Sequence, residues 1–299
     1  MKELLSALRA AQIELLENEP LCNHSSFRVG GIARVIALPR TREQLLSALR
    51  IATQCGVRTG VFGNASNVVF SDAGFDGLLV LTGNCRAVTQ TGNVIVADCG
   101  ASVGRIAKAA CDASLSGAEF LHGIPATLGG AVVMNAGAFE GGMEQIVVSS
   151  EYFDLERGAC GVLLHDAHEF AHRMSAYIKN SKLICLGATM ELRAGDPAEI
   201  RAKMDDFMAR RKRTQPLEYP SAGSVFKRPV GHYAAKLIDE CGLKGLTVGG
   251  AQVSEKHAGF IVNKGGATAA DIWELTKKIQ EIVLSRTGVT LECEIRFIH

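Results

Sequence analysis

The stretch LHGIPATLGGAVVMNAGAFEGG, residues 121–142, constrains this chain more than any other part of it. It is dense in glycine and small apolar residues and carries almost no charge. A surface linker needs polar side chains, so a segment like this either packs tightly or lies against a large ligand. Within it, Thr127-Leu128-Gly129-Gly130 reads as the opening of a helix whose N-terminus faces an anion, and Asn135-Ala136-Gly137 as its end. Gly129 and Gly130 let a flat or charged group touch bare backbone; close helix packing is the competing reading. A second loop, Gly63-Asn64-Ala65-Ser66-Asn67, lies between two apolar runs. Its successive amides can form an anion nest, with serine and asparagine adding donors, although plain turns use the same residue types. Two such loops favour a dinucleotide, with its two phosphates and two rings. No GxGxxG follows a strand, so this is not a Rossmann fingerprint.

The remainder of the chain supplies the frame for these loops. MKELLSALRAAQIELLEN reads as an amphipathic helix without the continuous apolar core of a signal peptide. Residues 33–39 read as a strand. Thr41 then caps a helix to Cys55, with Gln44 at the capping-box position and Gly56 as the stop. LLVLT and NVIVADCG read as strands, and Ser102 caps a helix to about Ser114. QIVVSSEYFDL and KLICLGATMEL are further strands. Asp196-Pro197-Ala198-Glu199 is a strong helix start. A helix around Ala234–Cys241, an amphipathic helix Asp271–Thr287 stopped by Gly288, and a last strand follow. At 299 residues the chain exceeds the usual single core. The division is expected near residue 195, giving domains 1–195 and 196–299.

Composition narrows the partners. Lys plus Arg is 32 against 31 Asp plus Glu, a balance that argues against a nucleic-acid binder. The one dense basic run, Arg210 to Arg213, suits the end of a helix and reads as a solvated face. Nine cysteines with no CxxC pair read as reduced thiols in a cytoplasmic protein. No apolar run is long enough to span a bilayer, and no obligate protein partner is evident.

Two further patterns carry chemistry. His168-Glu169-Phe170-Ala171-His172 matches HExxH, with His165 nearby. On a helix His168 and His172 would share a face, but the segment is barely longer than the motif and lies between strands. No metal site is expected. In Val289–Ile298, Val289, Leu291, Cys293, Ile295 and Phe297 point one way and Thr290, Glu292, Glu294 and Arg296 the other. If the second face lines a cleft, Glu294 and Arg296 lie side by side over a substrate; an ordinary surface strand alternates in the same way.

With these motifs in order, the chain resembles the UDP-N-acetylenolpyruvoylglucosamine reductase family from about Cys22 to Phe297. NHSSFRVGG (23–31) resembles its entry motif, GNASN (63–67) its flavin loop, and GIPATLGGAVVMNAGAFEGG (123–142) its longest signature. QPLEYPSAGSVFKRP (215–229) and GGAQVSEKHAGFIVN (249–263) resemble substrate-domain motifs, and LECEIRF (291–297) the final strand. The resemblance implies an α+β protein: an FAD-binding fold of the vanillyl-alcohol-oxidase type followed by an α/β substrate-binding domain. It implies FAD, held non-covalently, by Gly63, Asn64, Ala65, Ser66, Asn67, Gly100, Gly123, Ile124, Pro125, Thr127, Gly129, Gly130, Asn135, Ala136 and Gly137. It further implies NADPH as co-substrate and UDP-N-acetylenolpyruvoylglucosamine as the acceptor, reduced on the way to the peptidoglycan precursor.

Catalytic roles carry over residue by residue. The family's Tyr-Arg-x-Ser element falls on His172-Arg173-Met174-Ser175, giving Arg173; the serine of GSVF gives Ser224; the glutamate of the last strand gives Glu294. Arginine and glutamic acid suit an enolate building on the carboxylate side, and serine suits proton delivery to the adjacent carbon. Lys227, Arg228, Lys236, Gln252, His257 and Arg296 are the expected substrate contacts, for which ordinary surface roles are the alternative. The chain departs from the family pattern at Ala65 and Ala126, where glycine is usual, and at His172, where tyrosine is usual. Both alanines are expected to be tolerable where φ stays negative. The short stretch between Arg173 and Ser224 resembles the class lacking the loop that folds a tyrosine over the substrate. Another FAD oxidoreductase on the same fold, a zinc hydrolase and a flavin-binding protein without activity are the competing functions. The retained Arg173, Ser224 and Glu294 speak against the last.

Overall fold

The computed structural model describes residues 1–299. The chain folds into two compact units, each assembled from several stretches. The first takes Met1–Glu17, Val35–Asn64 and Gly77–Arg210; the second takes Asn18–Arg34, Ala65–Asp76 and Arg211–His299. A single cut at 195 therefore differs from this division, because two early segments belong with the C-terminal stretch.

Eight α-helices occur: α1 Lys2–Ala10, α2 Arg42–Gln54, α3 Val103–Asp112, α4 Leu128–Val133, α5 Ala176–Lys179, α6 Pro197–Thr214, α7 Ala234–Glu240 and α8 Ala269–Thr287. The caps read from sequence form. The Thr41 hydroxyl accepts from the Gln44 amide at 3.3 Å, and the Ser102 hydroxyl from the Arg105 amide at 3.3 Å. Asp196 Oδ1 accepts from the Ala198 and Glu199 amides at 2.8 and 3.1 Å. α8 begins two residues before the expected Asp271, because Asp271 is the third helical residue of a capping box with Thr268. Asp72 adds a second acidic cap, taking the Ala269 and Ala270 amides at 2.8 and 3.0 Å. Gly288 stops α8 at φ 72°.

Two cores fill the first unit. One forms where a five-stranded antiparallel sheet, ordered Ala159–Leu164, Val147–Asp154, Leu183–Glu191, Val94–Asp98, Val88–Thr91, is covered by α3 and α4. Ile95, Ala97, Ile106, Ala110, Leu128 and Val132 meet there. The other packs α1 and α2 through Leu4, Leu8, Leu45 and Leu49. Thr59–Phe62 and Phe75–Leu81 pair in parallel, so the chain leaves the first of these strands directly into the loop at 63. The second unit buries Ile272, Leu275, Ile279 and Val283 of α8 against Leu237 and Ile238 of α7 and Val253 and Ile261 of a three-stranded sheet.

Three expectations are corrected. The amphipathic N-terminus is a helix only to Ala10; Gln12 turns the chain at φ 55° and Glu14–Pro20 is a strand. The last strand is a ladder only over Arg296–Ile298, parallel to Val68–Phe70. Before it, the Glu294 and Ile295 amides both reach the Val225 carbonyl, at 2.7 and 3.5 Å, which breaks a regular register. The basic run is not wholly solvated: Arg211 is buried, and desolvation lowers its pKa.

Candidate active site

In the first unit the two glycine loops meet. Asn64 Nδ2 donates to the Pro125 carbonyl at 3.2 Å. A Cβ on Gly63 would fall 1.9 Å from Thr127 Oγ1, so only bare backbone fits there. That glycine is required by packing alone. Gly130 differs: it is exposed, its φ is not positive, and a Cβ would have only Thr127 Oγ1, 3.7 Å away, as a neighbour. Gly83 is half-buried but equally unhindered, with only Asn64 Oδ1 at 3.9 Å. Nothing in the protein demands glycine at either position. Thr127 Oγ1 is itself buried without a hydrogen-bond partner, as is His122 Nδ1 next to Gly123. Buried polar atoms are nearly always paired, so these orphans and the open ground beside them fit a polar ligand laid along Asn64, Gly83, Thr127 and Gly130. Sequence reading missed Gly83 and His122. Gly83 follows an apolar strand in Thr82-Gly83-Asn84, and that turn-like signal was the available clue.

Gly100 and Gly129 serve the frame: a Cβ on Gly100 would lie 1.8 Å from the Thr82 carbonyl, and one on Gly129 2.9 Å from the Cys99 Cβ. Leu128 and Gly129 donate to the Ala101 and Cys99 carbonyls at 2.8 Å each, holding α4 against the strand end. α4 is only six residues long, and Thr127 stands at its N-cap with no side-chain cap bond. Ile124 is partly buried against the sheet-side core and Pro125 is exposed. Ala65 corrects the expectation of negative φ, for it sits at +47°. Ala65, Ser66 and Asn67 belong to the second unit, where the Ser26 amide donates to the Ala65 carbonyl at 3.5 Å.

Arg173 is held by the glycine segment. It occupies a tight turn in which Met174 N donates to Ala171 O at 3.0 Å, with Arg173 at φ 55°. Its guanidinium donates to the carbonyls of Asn135 (3.3 Å) and Gly137 (3.0 Å). Asn135, buried and at φ 41°, returns a bond from Nδ2 to Ala171 O at 2.9 Å and accepts from Glu144 N at 3.1 Å. Ala136 accepts from the Met143 amide at 3.0 Å.

The HEFAH segment is not a helix. His165–His168 forms one 3-10 turn, and Glu169 ends it in the left-handed region at φ 49°. His168 is fully buried. A carbonyl only accepts, so His168 Nδ1–H donates to His165 O at 2.9 Å. Nε2 then accepts from Ser150 Oγ at 2.7 Å, and Ser150 accepts from the Tyr177 hydroxyl at 2.7 Å. Both ring nitrogens are spent on protein partners, and burial lowers the His168 pKa. Burial likewise raises Tyr177, and Cys185 is pushed up to about 12. These groups form a neutral internal chain in which neither His168 nitrogen keeps a lone pair for a metal.

In the second unit Ser224 and Glu294 lie on neighbouring segments. Ser224 bridges Phe260, Glu294 N donates to Val225 O, and Phe226 bridges Cys293. Asn67 joins them: its Nδ2 donates to Glu294 O at 3.3 Å, and its carbonyl accepts from Arg296 N at 3.0 Å. Lys227 pairs with Glu292. The Arg228 guanidinium stacks 3.9 Å from the Tyr233 ring centroid. Lys236 is exposed on α7, 3.7 Å from Glu240. Gln252 donates to Gly245 O and Thr247 Oγ1 at 3.3 and 3.0 Å, within its own hairpin. His257 Nδ1 accepts from Gly259 N at 3.2 Å, and burial lowers its pKa. Gln252 and His257 are thus engaged locally, and Arg296 is exposed on the short strand.

Residues 33–177 match an FAD binding domain, and residues 215–298 match the C-terminal domain of UDP-N-acetylenolpyruvoylglucosamine reductase. The chain is 44% identical over 298 residues to the reductase of that name from Levilactobacillus brevis, covering 100% of this chain and 97% of that one. It is 42% identical to that of Caldanaerobacter subterraneus, covering 95% and 94%. The solved reductase of Thermus caldophilus superposes with a TM-score of 0.82 at 34% identity, covering 96% of this chain and 99% of that one. A Phl p 4 variant, a glucose oxidase, shares the fold over 65% of this chain and 44% of its own, at a TM-score of 0.51 and 18% identity.

Proposed function

Because this chain belongs to the UDP-N-acetylenolpyruvoylglucosamine reductase family and carries its FAD-binding domain, we propose that it uses NADPH to reduce the enolpyruvyl ether of UDP-N-acetylglucosamine to UDP-N-acetylmuramate in the cytoplasm. Bound non-covalently, FAD supplies a two-electron carrier between the pyridine nucleotide and the enolpyruvyl group. Thr127, Gly130 and Asn64, with Gly83, hold it in the first unit, and the orphaned Thr127 hydroxyl supports that placement.

Arg173 is the fixed cation for the substrate carboxylate. The observation that carries this reading is its anchoring by two carbonyls of the same glycine segment that shapes the flavin loop. A guanidinium with some donors tied to carbonyls keeps others in a set direction, which suits a planar carboxylate. Glu294 donates a hydrogen bond to the carboxylate side as negative charge grows there, and Ser224 delivers a proton to the adjacent carbon. Their backbones are one ladder step apart, which supports a shared site. Lys227 and Arg228 lie three and four residues after Ser224 and suit the diphosphate; Lys236 and Arg296 are the exposed cations beyond them. Gln252 and His257 act through the hairpins they brace.

The test is direct. The purified protein is expected to be yellow, to release intact FAD on mild denaturation, and to turn over excess NADPH in the absence of oxygen only when the enolpyruvyl sugar nucleotide is present. A colourless protein that also fails to bind added FAD overturns the reading, and equal rates with NADH overturn the nucleotide assignment.

A further inference from the structure

Within the first unit, Gly137–Ala138 and Gly141–Gly142 form a minimal antiparallel hairpin, registered Gly137 to Gly142 and Ala138 to Gly141. Phe139 and Glu140 are its two turn residues. Phe139 stands at φ 57°, a conformation that the first position of such a turn normally reserves for glycine. The residue is 43% exposed. Neither fact suits a phenylalanine unless the ring has work elsewhere. The ring stacks on Phe207 of α6, with centroids 4.1 Å apart and planes 8° from parallel. The Arg210 guanidinium, itself 2.8 Å from Asp206, lies 5.9 Å from the Phe139 centroid. One strand of this hairpin ends at Gly137, whose carbonyl receives the Arg173 guanidinium at 3.0 Å.

We propose that the Phe139–Phe207 stack is a latch that positions Arg173: α6 fixes the hairpin tip, the hairpin fixes the Gly137 carbonyl, and that carbonyl aims the guanidinium. The left-handed backbone at Phe139 is strain of the kind kept where a side chain has a positioning role. The latch deepens the role given to Arg173 above and rests on it for its catalytic consequence, though not for its structural one.

Phe139→Gly is the discriminating variant. It removes the ring while giving the turn the residue its backbone prefers, so without a latch it should be neutral or stabilising. The expected result is faster hydrogen exchange at residues 136–144 in the FAD-loaded protein. Reoxidation by the enolpyruvyl sugar nucleotide should slow about 10-fold or more, since small misplacements of a positioning group are expensive, while flavin reduction by NADPH stays at the wild-type rate. Phe207→Ala should do the same, and Phe207→Tyr should restore both readouts. Wild-type exchange in Phe139→Gly overturns the latch, and so does equal slowing of both half-reactions. If the wild-type enzyme is not reoxidised by that substrate at all, the functional reading fails, and the exchange measurement alone still decides for or against the latch.

Discussion

The guanidinium of Arg173 donates to the main-chain carbonyl of Asn135 at 3.3 Å, while the Asn135 side chain donates to Ala171, two residues before the arginine, at 2.9 Å. The two bonds cross the same gap in opposite senses, so the turn at 171–174 and the glycine segment are clamped from both sides. Asn135→Ala is expected to orphan the Glu144 amide, to leave the Ala171 carbonyl with the Met174 amide alone, and to put alanine at φ 41°. The orphaned amide costs ~1–3 kcal/mol and the lost bond to Ala171 ~0.5–1.5 kcal/mol, so a loss of about 2–4 kcal/mol is expected in urea unfolding. A loss under about 1 kcal/mol would mean the clamp contributes little.

Ala65 sits at φ +47° where the resembling flavin loop usually has glycine. An L-residue in the left-handed region costs roughly 1–2 kcal/mol, partly offset because glycine is freer when unfolded. Ala65→Gly should therefore stabilise the protein by about 0.5–1 kcal/mol in the same unfolding experiment. A destabilised variant would show that the Ala65 methyl packs better than its backbone strains.

How much of this was readable beforehand depends on whether the signal was local. Caps at Thr41, Ser102 and Asp196 are set by a side chain and an amide two or three residues on, and they appeared as read. The flavin loops were visible as glycine clusters, yet their sequence does not separate glycines required by packing, such as Gly63, from those that leave open ground, such as Gly130. That distinction needs the neighbour across the loop, here Thr127. The HEFAH pattern carried no information on local shape, because periodicity over five residues cannot register a left-handed Glu169. The return of residues 18–34 and 65–76 to the C-terminal unit is a property of tertiary contacts with no mark in local composition.

His168 gives a pH signature. Burial lowers its folded pKa, whereas the unfolded side chain titrates near ~6.5. Between those two values the unfolded state binds more protons, so stability rises with pH there. The contribution of the neutral His168 is full above about pH 6.5 and is lost as pH falls through that value toward the lower folded pKa. The urea midpoint should fall between pH 7 and pH 5, and the part due to this residue should vanish in His168→Gln. An unchanged slope in that variant would assign the acid sensitivity elsewhere.

Both His168 nitrogens are bonded to protein atoms, and His172 lies on an irregular turn beyond the left-handed Glu169. Extensive chelation should therefore leave turnover unchanged. Stoichiometric zinc in the purified protein, with activity lost on chelation and restored by zinc, would refute this.

Ser224→Ala should separate the two half-reactions. NADPH should still bleach the flavin, because that hydride transfer needs no proton from Ser224. Reoxidation by the enolpyruvyl substrate should fall by ~10²–10⁴-fold, the usual contribution of a positioned general acid. Glu294→Gln keeps an amide donor on the segment whose backbone is fixed by Val225 and Asn67, so it should slow reoxidation less than removal of the side chain. Arg173→Lys keeps the charge but cannot hold the Asn135 and Gly137 carbonyls and also present a fork to a carboxylate, so it should be poor despite its charge. Stopped-flow absorbance of the flavin, followed separately with each substrate, measures all three. Equal slowing of both half-reactions in Ser224→Ala would mean that the residue shapes the flavin site. The proton would then have to come from another donor, and Glu294, on the adjoining backbone segment, is the first to test.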